Sequence, residues 1–403
     1  MPVALFRNPA ADPAQPYPAA LSEIQSLSAF AVARAEIAGW PGFSPTPLQT
    51  LAAMADAEGF GAIWYKDEGS RFGLGSFKAL GGAYAVLRQL KRVVADRLGT
   101  PIDAIASADL LSGRYSDIAS GVTVTCATDG NHGRSVAWGA SLFGCRCVIY
   151  IHALVSAGRE AAIAGYGAQV VRTAGNYDDS VRQAQQDAET NGWRVISDTS
   201  YPGYRDIPRD VMQGYSVMAA EALAQCPSRP THVFVQGGVG GLAAAVLAWL
   251  WESFGADRPR LIVVEPEKAD CLYRSACAGK PEVVRGNLDT IMAGLACGEV
   301  SLIAWDVLSQ GADAFMTVPD QAAIDLMKRL ARPVGNDPAV VAGESAVAGL
   351  AGALAARRDP AMAQALGLDA SSRLLVFGSE GATDPALYQQ LTGLRPQDVE
   401  RRQ

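Results

Sequence analysis

Short apolar runs alternate along this chain with longer alanine-rich stretches, and that alternation restricts the fold more than any other feature. A run too short for a helix, then a turn, then a helical pattern is the sequence form of a strand–turn–helix unit. Repeated, it builds parallel sheets covered by helices, so the fold class is α/β. Strands are expected at 121–127, 146–151, 168–173, 194–197, 232–236, 261–265 and 373–377. Helices are expected at 76–92, 133–142, 157–165, 177–191, 210–225, 241–254, 320–331 and 344–356. The 99–120 stretch, rich in Pro, Asp, Ser and Gly, reads as an excursion, and 121–191 as a compact subdomain of its own.

Length and composition set bounds on what such a sheet protein does. With 403 residues, 49% of them hydrophobic, the chain suggests two or three domains with sizeable cores. No apolar run reaches the ~18 residues of a membrane span, the nearest being 242–251, and the proline-rich 1–18 stretch reads as a surface arm rather than a leader. A cytoplasmic protein with no membrane partner is expected. A net charge of −7 without a basic cluster argues against nucleic acid. Seven cysteines in no regular framework read as core thiols, and three histidines give poor support for zinc, so no metal is expected.

Three loops carry chemistry. The first is Gly69-Ser70-Arg71-Phe72-Gly73-Leu74-Gly75-Ser76, followed by Phe77 and Lys78, one of only six lysines, at the head of an apolar run. A lysine that forms a Schiff base must be partly desolvated, and glycines before it admit a planar cofactor, which is the chemistry of pyridoxal phosphate. The second is Thr128-Asp129-Gly130-Asn131-His132-Gly133, between an expected strand and helix, where open amides and a positive dipole end suit a carboxylate. The third, Gly237-Gly238-Val239-Gly240-Gly241, has four glycines in five positions before a helix and suits a phosphate. Read as Gly238-x-Gly240-x-x-Ala243 with Glu265 ending the next strand, it also satisfies a dinucleotide fingerprint, so a nicotinamide oxidoreductase competes on that motif. That reading leaves Lys78 and the Asn131 turn without a task. A fourth segment, Phe377 to Asp384, offers the hydroxyls of Ser379 and Thr383 at a strand end; a hydroxyl leaves a pyridine nitrogen largely unprotonated and favours elimination over transamination.

Together these motifs resemble the tryptophan-synthase-β family, the fold type II pyridoxal phosphate enzymes, and within it the 2,3-diaminopropionate ammonia-lyases. Further matching stretches are Lys66-Asp67-Glu68-Gly69, Met212-Gln213-Gly214-Tyr215, 292–299 and Gly343-Glu344-Ser345-Ala346, and the likeness runs from about Asn8 to Thr392. It implies two doubly wound parallel-sheet domains with the cofactor in the cleft between them. Residues 1–90 and 220–403 would form the larger, and 91–219 the smaller, carrying the Asn131 loop. It implies further that Lys78 binds the cofactor, that Gly237, Gly238, Val239, Gly240 and Gly241 cradle its phosphate, that Asn131 touches the ring oxygen, and that Ser379 or Thr383 meets the pyridine nitrogen. Thr128, Asp129, Gly130, Asn131 and His132 would receive an amino-acid substrate, in a homodimer.

Serine and threonine dehydratases of this fold usually carry serine before Gly-Asn-His, where this chain has Asp129, as the diaminopropionate lyases do. Asp198 also matches them. Removing a Cα proton needs a base on the proton's side, and the D and L isomers present it on opposite faces. The resemblance implies Asp129 for the D isomer and Asp198 for the L isomer, with loss of the β-amino group giving pyruvate and two ammonia. A dehydratase of serine, threonine or hydroxyaspartate is the nearest alternative. One position departs from the family: Ala382 stands where an aspartate is usual.

Overall fold

A computed structural model of the chain describes residues 3–128, 130–286 and 288–401. It divides into two compact units, one of Met1–Leu27, Pro45–Ser76 and Met218–Gln403, the other of Ser28–Ser44 and Phe77–Val217. The expected boundaries thus shift. Residues 77–90 join the smaller unit because the helix Lys78–Leu98 packs along the helix Asn131–Phe143, and 28–44 join it as Trp40 sets its ring against Trp138 and Phe143 of that helix at 5.8 and 5.6 Å. Glycines make that contact close: a Cβ on Gly82 would lie 1.9 Å from Ser135 Oγ, and one on Gly139 would lie 2.7 Å from the Ala83 backbone.

The larger unit holds a seven-stranded sheet made of β1 (Ala4–Arg7), β2 (Leu48–Thr50), β3 (Ala62–Asp67), β8 (His232–Gln236), β9 (Arg260–Pro266), β10 (Ala314–Val318) and β11 (Arg373–Gly378), in the order β1-β10-β9-β8-β11-β3-β2. The five central strands are parallel, and the edge strands β1 and β2 run antiparallel to their neighbours. Strands β8 and β10 are buried at every position, which explains their unbroken runs: helices cover both faces, so no residue needs to face water. The smaller unit holds β4 (Thr123–Ala127), β5 (Arg146–Ile151), β6 (Gln169–Arg172) and β7 (Arg194–Val195), all parallel, in the order β6-β5-β4-β7.

All seven expected strands form. Four others, β1, β2, β3 and β10, were not expected. The N-terminal stretch is not a free arm: Ala4 pairs with Thr317 and Arg7 with Ala314, and Asn8 Nδ2 donates to the carbonyls of Ser309 and Ala312 at 2.9 and 2.8 Å. Strand β3 was hidden by its charges. Lys66 is fully buried there, its Nζ donating to Thr46 O at 2.7 Å, Gln225 Oε1 at 2.9 Å and Glu221 Oε2 at 3.2 Å.

Gly139→Ala should cost about 2 kcal/mol in urea unfolding, because a methyl group there must displace main chain rather than a flexible side chain. Gly158→Ala, where the nearest atom is 3.9 Å away, should change stability by less than about 0.5 kcal/mol or raise it slightly.

Candidate active site

Strand β4 ends at Ala127, and the helix Asn131–Phe143 begins four residues later. Thr128 shapes that junction. Its Oγ1 accepts the amides of Gly130 and Gly133, both at 3.0 Å, and a Cβ on Gly133 would lie 2.3 Å from the Thr128 methyl. Thr128 is therefore placed as the organiser of the loop, its oxygen already engaged by two amides. Asp129 lies outside the described residues.

Lys78 opens its helix beside this turn's own unit, after Phe77, and its Nζ stands 2.5 Å from Asp198 Oδ2. The rings of Phe77 and Tyr215 lie 5.6 and 5.8 Å from that nitrogen and screen it from water. Tyr215 and Gly214 come from the stretch 212–215; a Cβ on Gly214 would lie 2.1 Å from Leu80 O, so that helix sits directly against the first turn after Lys78. Asp198 follows β7 on a loop that Tyr204 holds in shape, its hydroxyl donating to Val195 O at 2.8 Å and accepting Ser197 N at 3.0 Å.

Burial pushes the Asp198 carboxyl up, but the nearby Lys78 charge, with His132 behind it, outweighs this and holds it well below the usual carboxylate range. The His132 side chain is buried, and burial lowers its affinity for a proton. Nε2 lies 2.7 Å from the Ile196 carbonyl, an acceptor only, so the single ring proton sits on Nε2. Nδ1, buried and without a hydrogen-bond partner among the described residues, faces Asp198 Oδ2 at 3.9 Å.

In the larger unit the glycine loop follows β8. Gly240, with φ +101°, turns the chain into the helix Gly241–Phe254, whose start has no side-chain cap. The amides of Gly238, Val239 and Gly240 donate to no group among the described residues, whereas that of Gly237 is taken by Val264 O at 2.9 Å. Gly237 therefore serves by lacking a side chain: a Cβ would lie 2.7 Å from both Leu272 and Val263. Open amides and an uncapped helix start fit the phosphate of pyridoxal phosphate. The dinucleotide reading fails on Glu265. Its carboxyl accepts Leu272 N at 2.9 Å and Tyr273 N at 2.6 Å, capping the helix Cys271–Ala278 instead of waiting for a ribose.

Other motifs converge in the same unit. Gly381 N donates to Gly75 O at 2.9 Å and Ser76 bridges to Glu380, which ties the glycine-rich approach to the late loop. Glu380 also accepts Ser345 N at 3.2 Å and Thr383 Oγ1 at 3.3 Å, while Ser345 Oγ accepts Gly294 N at 2.9 Å. Asp384 caps the helix Pro385–Thr392, and Ala382 packs against the core. Sequence reasoning missed two residues here, Glu380 and Gln236. Gln236 Nε2 donates to Phe377 O at 2.8 Å and Ser379 Oγ at 2.6 Å. The available signal was a polar residue ending an otherwise apolar strand just before the glycines.

Comparison with known proteins agrees with this chemistry. Residues 40–367 match the family model described as "Pyridoxal-phosphate dependent enzyme", and the chain belongs to that family. Within it, the chain is 39% identical over 356 residues to diaminopropionate ammonia-lyase of Escherichia coli strain K12, covering 87% of each. It superposes on the holo crystal structure of that Escherichia coli enzyme with a TM-score of 0.88 at 37% identity, covering 97% of this chain and 96% of that one. The same enzyme in complex with an aminoacrylate-PLP azomethine reaction intermediate matches with a TM-score of 0.85 at 36% identity, over the same shares. The protein is thus a fold type II enzyme with pyridoxal phosphate as cofactor. Among the described residues no helix is long and apolar enough to cross a membrane.

Because Asp198 is held ionised by its neighbours in the folded chain, its contribution to stability is present above the ordinary carboxylate value and lost as pH falls through the lower folded one. Asp198→Asn in cofactor-free protein should therefore unfold about 3 kcal/mol more easily at pH 7. The gap should begin to close below about pH 4. Urea titrations across that range check both points.

Proposed function

We propose that the protein eliminates the β-amino group of 2,3-diaminopropionate, taking both D and L isomers and consuming one water to give pyruvate and two ammonia. The observation that carries this is the ionised Asp198 at 2.5 Å from Lys78: a base and the cofactor-binding amine held together. Likeness to the diaminopropionate ammonia-lyases across most of the chain supports the substrate.

Bound pyridoxal phosphate supplies the electron sink that makes a Cα proton removable. Lys78 would hold the cofactor through its aldehyde carbon, beside the Asp198 carboxylate. The open amides of Gly238, Val239 and Gly240, with Gly241 at the helix start, receive the phosphate, and Asn131 the ring oxygen. Of the two candidate hydroxyls, that of Thr383 donates to Glu380 at 3.3 Å, which supports Ser379 as the one that would meet the pyridine nitrogen. The N-terminus of the helix Asn131–Phe143 would hold the substrate carboxylate. Asp198 takes the Cα proton of the L isomer and Asp129 that of the D isomer. Glu380 orders the late loop, a task it performs without the aspartate that Ala382 replaces. The larger unit would serve as the main cofactor-binding domain, and the protein would work as a cytoplasmic homodimer, which sedimentation of the holoprotein checks.

Pyruvate release from D- and L-diaminopropionate, measured beside D- and L-serine at matched concentration, tests the substrate. Both diaminopropionate isomers should turn over faster than serine, and faster release from serine would make the protein a dehydratase. Lys78→Ala should abolish turnover. Asp198→Asn should lower kcat for the L isomer by at least about 100-fold and Asp129→Asn that for the D isomer by a similar factor. Equal loss for both isomers in either variant would contradict the two-base assignment.

A further inference from the structure

Gln236 ends β8 with its side chain buried, and the direction of its amide is fixed by its neighbours. Nε2 lies 2.8 Å from the carbonyl oxygen of Phe377, which can only accept, so the nitrogen and not the oxygen must face it. One amide hydrogen is used there. The other points to Ser379 Oγ at 2.6 Å, which makes the serine oxygen an acceptor at this contact. The hydroxyl hydrogen must therefore leave in another direction, and it meets no acceptor among the described residues. Gln236 Oε1 meanwhile is buried without a hydrogen-bond partner among the described residues. An apolar side chain of the same volume would leave no such atom stranded, so the amide's packing does not account for its presence.

We infer that Gln236 is a positioning residue that locks the Ser379 hydroxyl as a one-way donor to the pyridine nitrogen of pyridoxal phosphate. This inference rests on the reading that Ser379 meets that nitrogen. A serine free to rotate could offer either its hydrogen or a lone pair, and so could suit either protonation state of the ring. With one lone pair taken by an amide hydrogen and no other acceptor at hand among the described residues for the hydroxyl hydrogen, Ser379 satisfies that hydrogen by donating to an unprotonated nitrogen, whereas accepting from a protonated ring through its second lone pair would leave the hydrogen without a partner. The weakened electron sink that favours elimination would then be set by two residues, one of which never touches the cofactor.

The test uses cofactor-depleted protein titrated with pyridoxal phosphate, and holoprotein carrying cofactor labelled with 15N in the ring. Ser379→Ala and Gln236→Met should each weaken cofactor binding about tenfold, the equivalent of one hydrogen bond. The double variant should bind no more weakly than Ser379→Ala, because the glutamine acts through the serine. Gln236→Glu keeps size and polarity if the methionine variant does not fold; held protonated so that its hydroxyl donates to the Phe377 carbonyl, it leaves that oxygen's lone pair to accept from Ser379 and reverses the serine hydroxyl. Its ring 15N resonance should move to the protonated position while the wild type stays at the unprotonated one. Additive losses in the double variant, or an unmoved resonance in Gln236→Glu, would overturn the role of Gln236. A Ser379→Ala variant that binds and resonates as wild type would instead remove the reading beneath it, and the inference with it.

Discussion

The contact of Lys78 with Asp198 is the interaction on which the smaller unit is organised. A carboxylate and an amine at 2.5 Å, each mostly out of water, gain little from being far apart in sequence unless something fixes both ends. One end is fixed by glycines, since Gly82, Gly139 and Gly214 let the helix that begins at Lys78 lie directly against its neighbours. The other is fixed by Tyr204, which clamps the loop after β7 through the main chain of Val195 and Ser197. His132 completes the group because its tautomer is set by the Ile196 carbonyl, two residues before Asp198.

The larger unit solves a different problem, that of keeping several glycine-rich loops in one shape. A buried ionic network does part of this. Arg71 donates to both oxygens of Glu68 at 2.8 Å and to Glu221 at 2.6 Å, while Lys66 reaches Glu221 from the strand before. Two cations and two carboxylates balance, so removing any one would strand a charge in the interior. Glu380 does the rest, joining the late loop to the segment around Ser345 and the approach to Lys78.

Much of this was legible in the sequence, and what was missed has identifiable causes. Runs such as Val233 to Val235 and Leu374 to Phe377 read as strands because burial on both faces leaves them continuously apolar. The loops that carry Lys78, Asn131 and Gly238 were legible because clustered glycines and small polar residues at strand ends add little to a core and suit a turn that receives a ligand. Strand β3 was not, since Lys66 and Asp67 resemble surface residues until Glu221 and Gln225, some 155 positions away, are placed beside the lysine. The edge strand β1 escaped because its pairing with β10 is decided by a partner more than 300 residues later. Gln236 and Glu380 escaped for the same reason: their task lies in the direction of a hydrogen bond, and no spacing encodes that. Asp198 could be found only by resemblance, as an aspartate in a turn has no local mark of catalysis.

Lys78, as the amine that would carry the cofactor, is the centre of this chemistry. Borohydride reduction of the holoprotein followed by peptide mapping measures this directly, because it fixes the cofactor to whichever lysine holds it. One pyridoxyl group per chain on Lys78 is the predicted result. A label on Lys66 or another of the six lysines, or spread among several, would contradict it.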